Sequence, residues 1–508
     1  MNRDPRAGEA LTRIGAPPQL WQPLLSALST RSTSGLSDEL AQQVKSFHTI
    51  AVWEPARFPG RESVVLDGGL WRHLGSAPRP LVVIPAAWGA TWQQFALMAF
   101  RLSLQGYDVL AYNPRGFYQS GGTIDVGGPD DWADGSAAIT YAADRAGAEV
   151  TAVGFVGDSY GSGISLMVGA TDERVDAVAA LSAWGNLGSC LYEHDTRHIR
   201  AFNALIGATL NKEGEVIGRF DEATEELLED YLANRNVDRL LEWGRVRSPE
   251  EHLEAINRRQ LPVLISSHWH ETLFPPNQLL RTFNQLTGPK RLLMSIGDHS
   301  CSELPGIAGL PNRVMDEAYR WLAHYLKGDA NGADSLLQVS NEIMFSYLTV
   351  PTPDPATGLP TGPNLIIRPA AVEERKSWAD ITGRTEHLHL KPAARPEFLF
   401  PEDGELSPGP ASSWTKSFTT GADAGLTAAD NPVFTGLAES LGNPKRYETR
   451  WFDRTCAAVW KTGLLGTDEP ARRAQAAVDL HAEQQLDDPG GLPLRRRTGP
   501  WHGPDHHP

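Results

Sequence analysis

The chain has 508 residues, too many for one hydrophobic core, and implies two or three domains each large enough to bury a core unaided. With 46 lysines and arginines against 62 aspartates and glutamates, its net charge of -16 repels anionic polymers and sets nucleic acid aside as a partner. Three cysteines, Cys190, Cys301 and Cys456, are too few and too scattered for a disulfide framework or a cysteine-based zinc site, which fits a reducing compartment.

Residues 1–45 read as a helical lead-in. The opening stretch, broken by "APP" and by charges, lacks an apolar run of signal-peptide length, and nowhere do about 18 apolar residues run without charge. A cytoplasmic protein with no membrane partner is expected. From "LVVIPAAWGA" onward, short apolar runs alternate with helix-period segments, the rhythm of βαβ units and an α/β fold. "PLVVIP" (80–85) predicts a buried strand, "QQFALMAFRLSLQG" (93–106) a helix stopped by Gly106, and "YDVLAYNPRG" (107–116) the next strand. "DDWADGSAAITYAADRA" (130–146) predicts a helix whose acidic first turn suits its dipole. "AEVTAVGFVG" (148–157) is a strand, "SGISLMVGATD" (162–172) a small-residue helix, and "VDAVAALSAW" (175–184) another strand.

Residues 185–260 interrupt this rhythm with charged helical sequence such as "DEATEELLEDYLANRNVDRLLEW" (221–243). Strands resume with "LPVLISSHWHE" (261–271) and "KRLLMSIGDHS" (290–300), followed by a helix at 313–328. Near 333 the composition turns proline-rich and short-stranded, and a second, β-rich domain is expected to begin.

"VGDSYGSG" places Ser159 where a predicted strand meets a predicted helix, with Gly157 and Gly161 two residues to either side. That junction is what a nucleophile elbow needs: a strained turn that presents the serine, small neighbours that let strand and helix approach, and helix N–H groups aimed at a developing oxyanion. A nucleotide loop fits less well, because "GSGISL" lacks a third glycine and no Walker lysine follows. A serine alcohol needs a base, and in such hydrolases acid and base follow on loops after later strands. "HWHET" offers His268, His270 and Glu271; "GDHSCSE" offers Asp298 and His299. His299 is the preferred base, just past the last strand beside Gly297. Glu271 is the preferred acid and Asp298 the alternative, since a carboxylate adjacent in sequence to a histidine rarely reaches that ring. Asp158 is expected to tune the elbow. A zinc site on His268, His270 and Glu271 is the rival reading, because H-x-H on a strand puts both rings on one face, but no third ligand cluster is evident. Neither a metal nor a cofactor is expected.

The elbow "GDSYG", "HWHETLFPPNQ", "GDHS", "AYRWLAHYLKGDANG" and "SWADITGRTEHLHL" together resemble the cocaine-esterase and X-prolyl dipeptidyl-peptidase family of α/β-hydrolases, over roughly residues 80–400. The resemblance implies an α/β-hydrolase with a helical cap, followed by a jelly-roll β-sandwich in full or shortened form. The domains expected are a lead-in over 1–45, a catalytic domain over 46–184 and 261–332, a cap over 185–260, a jelly-roll-like domain over 333–485 and a disordered tail over 486–508. It matches Ser159 to the nucleophile and His299 to the base, puts Glu271 where aspartate is usual, and makes Arg115 of "NPRGFYQSGG" structural. The family's tyrosine after the third strand is missing from "PAAWGA", so backbone N–H groups of Tyr160 and of Ala87, or alternatively Ala86, would form the oxyanion hole. Trp88, Trp184 and Tyr192 are expected to wall the pocket, with Leu187, Leu191 and Phe202 either joining them or forming plain cap core. The function expected is a serine esterase acting through an acyl-enzyme; the alternatives are an X-prolyl dipeptidyl aminopeptidase or amide hydrolase, an acyltransferase, or a scaffold that merely kept the fold. The partner expected is a small ester or amide, and a homodimer is left open.

Overall fold

The apolar runs fold as the strands of one large sheet because each can bury both of its faces. In the computed structural model the residues described are 18–193, 196–209, 217–343, 347–350, 365–369, 371–381, 388–393, 403–409, 417 and 453–461. The sheet's strands are β1 (Ala51–Pro59), β2 (Val65–His73), β3 (Arg79–Pro85), β4 (Asp108–Tyr112), β5 (Val150–Asp158), β6 (Val175–Leu181), β7 (Val263–His268), β8 (Lys290–Ser295), β9 (Val339–Glu342) and β10 (Val372–Arg375). Their order is β1-β2-β4-β3-β5-β6-β7-β8-β9-β10. From β4 through β3 to β9 every neighbouring pair is parallel, whereas β1 with β2, β2 with β4, and β9 with β10 are antiparallel. This is the α/β-hydrolase fold.

Period-two alternation along β3 divides the interior. Leu81 and Val83 join a core with Phe155, Ile164 and Val168 on one face, while Val82 and Ile84 join Val156, Phe100 and Leu322 on the other. Helices Ala96–Leu104, Pro129–Arg145, Tyr160–Thr171 and Arg313–Lys327 supply the covering apolar faces. The lead-in folds as helices Pro18–Thr30 and Asp38–Ile50, the latter capped by Ser37, whose hydroxyl accepts from Leu40 N at 3.4 Å. Leu24, Val44 and Phe47 complete the second core, with the Phe47 ring 5.5 Å from that of Phe100.

Several elements depart from the expected ones. The strand expected over 175–184 stops at Leu181, because Ser182 turns to φ 47°. The charged stretch 221–243 is not one helix: Asn234 and Asn236, both left-handed at φ 53° and 48°, separate helices Glu222–Ala233 and Val237–Val246. Asparagine tolerates that conformation better than most residues. The large sheet also runs past 332 into β9 and β10, and the compact unit holding it comprises residues 1–381 and 418–457 rather than closing at 332. Buried Arg291 on β8 supports this extension by pairing with Glu374 on β10 at 2.6 Å. β1 carries Pro55 yet holds its place, since an edge strand need bond on one side only.

The second unit, residues 382–417 and 458–508, contains a three-stranded sheet of His389–Pro392, Gly404–Ser407 and Trp460–Lys461. The jelly roll expected over 333–485 falls largely, and the tail over 486–508 wholly, outside the described residues. Among the described residues, no helix is long and apolar enough to cross a membrane.

Candidate active site

β5 ends at Asp158 and helix Tyr160–Thr171 begins two residues on, leaving Ser159 alone in the turn at φ 55°, ψ -118°. That conformation is strained for any residue but glycine. It is held by close packing that only glycines permit: a Cβ on Gly157 would lie 2.2 Å from the Gly161 backbone, and one on Gly161 would lie 2.2 Å from the Pro85 carbonyl oxygen. Ser159 N donates to Leu181 O at 2.8 Å, tying the turn to β6.

The loops after β7 and β8 bring two further side chains to the serine. His299 Nε2 is 2.7 Å from Ser159 Oγ, and His299 Nδ1 is 2.9 Å from Glu271 Oε1. All three residues are buried. Glu271 Oε1 also accepts from Leu273 N at 3.1 Å and Phe274 N at 3.2 Å, so the longer acid folds back over its own turn. Asp298 faces elsewhere: its carboxylate accepts from Thr272 N and His299 N, each at 2.7 Å, and from Thr272 Oγ1 at 2.5 Å. It braces the loop and leaves the ring to Glu271.

Burial opposes ionisation of Glu271, yet the imidazoles of His299 and His268 hold its carboxyl at about 2, against an ordinary 4.5. Burial likewise opposes charge on His299, and the Glu271 carboxylate outweighs it, raising the imidazole above its ordinary 6.5. Asp158 responds oppositely. Burial, then the charge of Glu303, pushes its carboxyl up to about 7, while Ser300 Oγ donates to it at 3.1 Å.

Of the expected oxyanion donors, Ala86 is already committed: its N–H bonds to Tyr112 O at 3.0 Å within the sheet. Ala87 is the next N–H in that loop. Tyr160, first in its helix, has no preceding turn to accept its N–H. Its phenol is fixed from the helix 129–145, donating to Asp131 Oδ2 at 2.6 Å and accepting from Gly127 N at 2.9 Å. The acidic first turn read as a dipole feature therefore also anchors the residue after Ser159.

Trp88 and Trp184 both come to Tyr160, with ring centroids 5.2 and 6.5 Å away. Each also bonds to the inserted segment, Trp88 Nε1 to Leu205 O at 2.8 Å and Trp184 Nε1 to Arg247 O at 2.9 Å. Trp184 packs on Phe274, which packs edge-on against His299 at 5.1 Å. Tyr192 does not join them. It packs, partly buried, on the small core of Phe202, Leu227, Tyr231 and Leu240 inside the inserted segment. Arg115 is structural as expected: its guanidinium grips Asp134 with two bonds of 2.8 and 2.9 Å and Asp130 with one of 2.5 Å.

The zinc reading loses its geometry, because β7 ends at His268 and His270 lies in the turn beyond, so the two do not share one strand face. His268 is fully buried, between Glu271 and a carboxylate that sequence reasoning did not single out, Glu303. Nothing in "SCSELPG" signals that role, which only the tertiary fold creates.

The family model for X-Pro dipeptidyl-peptidase (S15 family) matches residues 62–301, a span that takes in Ser159, Glu271 and His299. No curated protein matches the chain. Among solved structures, an esterase from Pyrococcus furiosus is 15% identical with a TM-score of 0.39, over 56% of this chain and 93% of its own. A CocE/NonD family hydrolase from Staphylococcus aureus is 12% identical with a TM-score of 0.46, over 67% of this chain and 58% of its own. An acylaminoacyl peptidase from Pyrococcus horikoshii is 18% identical with a TM-score of 0.38, over 55% and 42%. The chain is an α/β-hydrolase, and the family it resembles over residues 62–301 is that of the X-Pro dipeptidyl-peptidases.

Proposed function

We propose that the protein is a serine hydrolase that cleaves a carboxylic ester through an acyl-enzyme. The observation that carries this reading is the unbroken line of contacts Ser159 Oγ, His299 Nε2, His299 Nδ1 and Glu271 Oε1, at 2.7 and 2.9 Å, beside a helix N-terminus. Ser159 Oγ attacks the acyl carbon while His299 Nε2 takes its proton, and the Glu271 carboxylate holds Nδ1–H and stabilises the imidazolium. The N–H groups of Tyr160 and Ala87 receive the oxyanion. His299 then hands its proton to the leaving alcohol, and water, activated by the same ring, releases the acid.

An ester is favoured over an N-terminal dipeptide. An aminopeptidase must offer carboxylates to a free α-ammonium, and each of these buried or half-buried carboxylates already accepts a hydrogen bond from within the protein: Asp131 from Tyr160 and Gly127, Asp125 from Arg247 at 2.7 Å, Asp158 from Ser300, and Glu303 from Ser266 at 2.5 Å. Phe274 packs on His299, Trp184 on Phe274 and Trp88 on Tyr160, an aromatic surround that suits an apolar acyl or alcohol group. The test is fluorophosphonate labelling of Ser159 followed by turnover of p-nitrophenyl esters and aminoacyl-prolyl anilides, with an added alcohol to detect acyl transfer. Hydrolysis of the esters supports the reading. Turnover of the anilides alone assigns a peptidase, and an acylated alcohol formed in preference to free acid assigns a transferase.

A further inference from the structure

Glu271 has two carboxylate oxygens, and the triad uses one. Oε1 carries His299 Nδ1 and two backbone N–H groups. Oε2 faces the other way, 3.6 Å from Nδ1 of the fully buried His268. The far side of that ring, Nε2, lies 3.2 Å from Oε2 of Glu303, itself fully buried. Both are ionic contacts set off the line of a hydrogen bond. The surrounding polar groups converge on this pair: Ser266 Oγ donates to Glu303 Oε1 at 2.5 Å, Ser182 Oγ lies 3.4 Å from His268 Nδ1, and that hydroxyl accepts from Ser300 N at 2.9 Å.

A buried pair of this kind is poor at stabilising a fold, since taking two charges out of water costs about as much as their attraction returns. Its place behind the acid gives it another use. A glutamate has one more rotatable bond than the aspartate that the resemblance implies here, so its carboxylate must be fixed at both oxygens if one is to stay aligned with an imidazole.

We propose that His268, clamped between Glu271 and Glu303, is a positioning residue for hydrolysis: its ring fixes the second oxygen of Glu271 so that the first stays on His299, and Glu303 is its counter-charge. This rests on Ser159, His299 and Glu271 being the triad. The charges agree with the geometry. Burial disfavours the imidazolium of His268, and Glu303, Cys301 and Glu271 together more than offset that, raising the ring well above the ordinary histidine value. Burial disfavours the Glu303 carboxylate in turn, and His268 pulls it below its ordinary value. The other titratable groups facing the pair are Asp158 at the end of β5 and Cys301 in the loop after β8, while Asp298 and Asp158 bear on His299.

The experiment compares wild type, His268→Gln, Glu303→Gln and the double variant on p-nitrophenyl butyrate between about pH 5 and pH 9, with active sites counted by a fluorophosphonate. Each single variant should lower kcat per titrated site about 10- to 100-fold at unchanged KM, the scale expected when a reacting group is misplaced. His268→Gln should also move the acid limb of kcat/KM upward, because a cation near His299 is gone while Glu303 remains. The double variant should lose no more than His268→Gln alone, as two residues acting through one contact do. It removes both charges of the His268–Glu303 pair together, so it decides alone if a single variant does not fold.

A purely structural pair would reduce the yield of titratable enzyme but leave kcat per site within about twofold, and that result refutes the proposal while the triad stands. Losses that multiply in the double variant refute it too. Wild-type enzyme that is not labelled at Ser159 removes the triad, and the positioning role with it.

Discussion

Replacing Glu271 with glutamine tests the acid with almost no change of shape. The amide still spans the gap to His299 Nδ1, now 2.9 Å, but carries no charge to stabilise the imidazolium formed as Ser159 attacks. Two routes give the size of the loss. The carboxyl is held at about 2 against 4.5, which at about 1.4 kcal/mol per pH unit amounts to about 3.5 kcal/mol, net of burial and shared between the imidazoles of His299 and His268. Coulomb's law gives about 4 kcal/mol for opposite charges about 4 Å apart at an effective dielectric constant of about 20. Since about 1.4 kcal/mol is a factor of ten, kcat should fall by about 100- to 1,000-fold, and further, toward 10,000-fold, if the amide also selects the wrong imidazole tautomer. KM should change little, because Glu271 acts through the ring and not on the substrate. Asp298→Asn is the control. It loosens a loop held by Thr272 and should cost about tenfold or less. Steady-state kinetics on one p-nitrophenyl ester, normalised to titrated sites, compare them. Activity of Glu271→Gln within about tenfold of wild type, or a greater loss in Asp298→Asn, refutes the assignment.

Ser159→Gly should abolish turnover yet raise the melting temperature, by about 2–4 °C for each kcal/mol of strain relieved at φ 55°; an unchanged or lower melting point would show the turn to be unstrained. The base must be neutral to act, so kcat/KM should be full at high pH and fall as pH drops through the His299 value, with a midpoint above the ordinary 6.5; a midpoint below it contradicts the Glu271 contact. Asp158 titrates higher in the fold than in the unfolded chain, so its contribution is present at low pH and is lost as pH rises toward about 7; Asp158→Asn should therefore stabilise the protein at about pH 8 and not at about pH 4, measured by thermal melts. In Gly163→Ala a Cβ would meet Trp184 at 1.9 Å, and the forced shift should cost about 1–3 kcal/mol in chemical denaturation and lower kcat through Phe274.

Where a residue's role is announced by its position at a strand end, the chain could be read directly. Ser159, Glu271 and His299 each follow an apolar run, and the structure brings all three together. Roles that depend on distant segments were not legible. Glu303 lies in a short polar stretch with no pattern of its own, and it reaches His268 only through folding. β1 and β2 were hidden because Pro55, Glu54, Gly68 and Gly69 break their alternation. The glycines answer to neighbours: a Cβ on Gly68 would come 2.4 Å from Ala111 O, and one on Gly69 would meet the Trp92 ring at 2.6 Å. The break at Asn234–Asn236 was lost because charged helical residues surround it. Tyr192 was misplaced because an aromatic residue in an inserted segment serves a local core as readily as a pocket, and sequence does not separate the two.

The outer strands of the large sheet bear on how copies of the chain meet. An edge strand's open backbone is a template on which another molecule can add a strand, the first step of aggregation. Here one rim, β1, contains Pro55, which has no N–H to offer, flanked by Glu54 and Arg57. Among the described residues the other rim is β10, Val-Glu-Glu-Arg, with Glu374 already drawn inward to Arg291. Both rims thus carry charges, and β1 a proline, by which sheets discourage templated growth. Strand addition between two molecules is thereby discouraged, which matters for a sheet whose parallel strands must wait for distant partners while it forms.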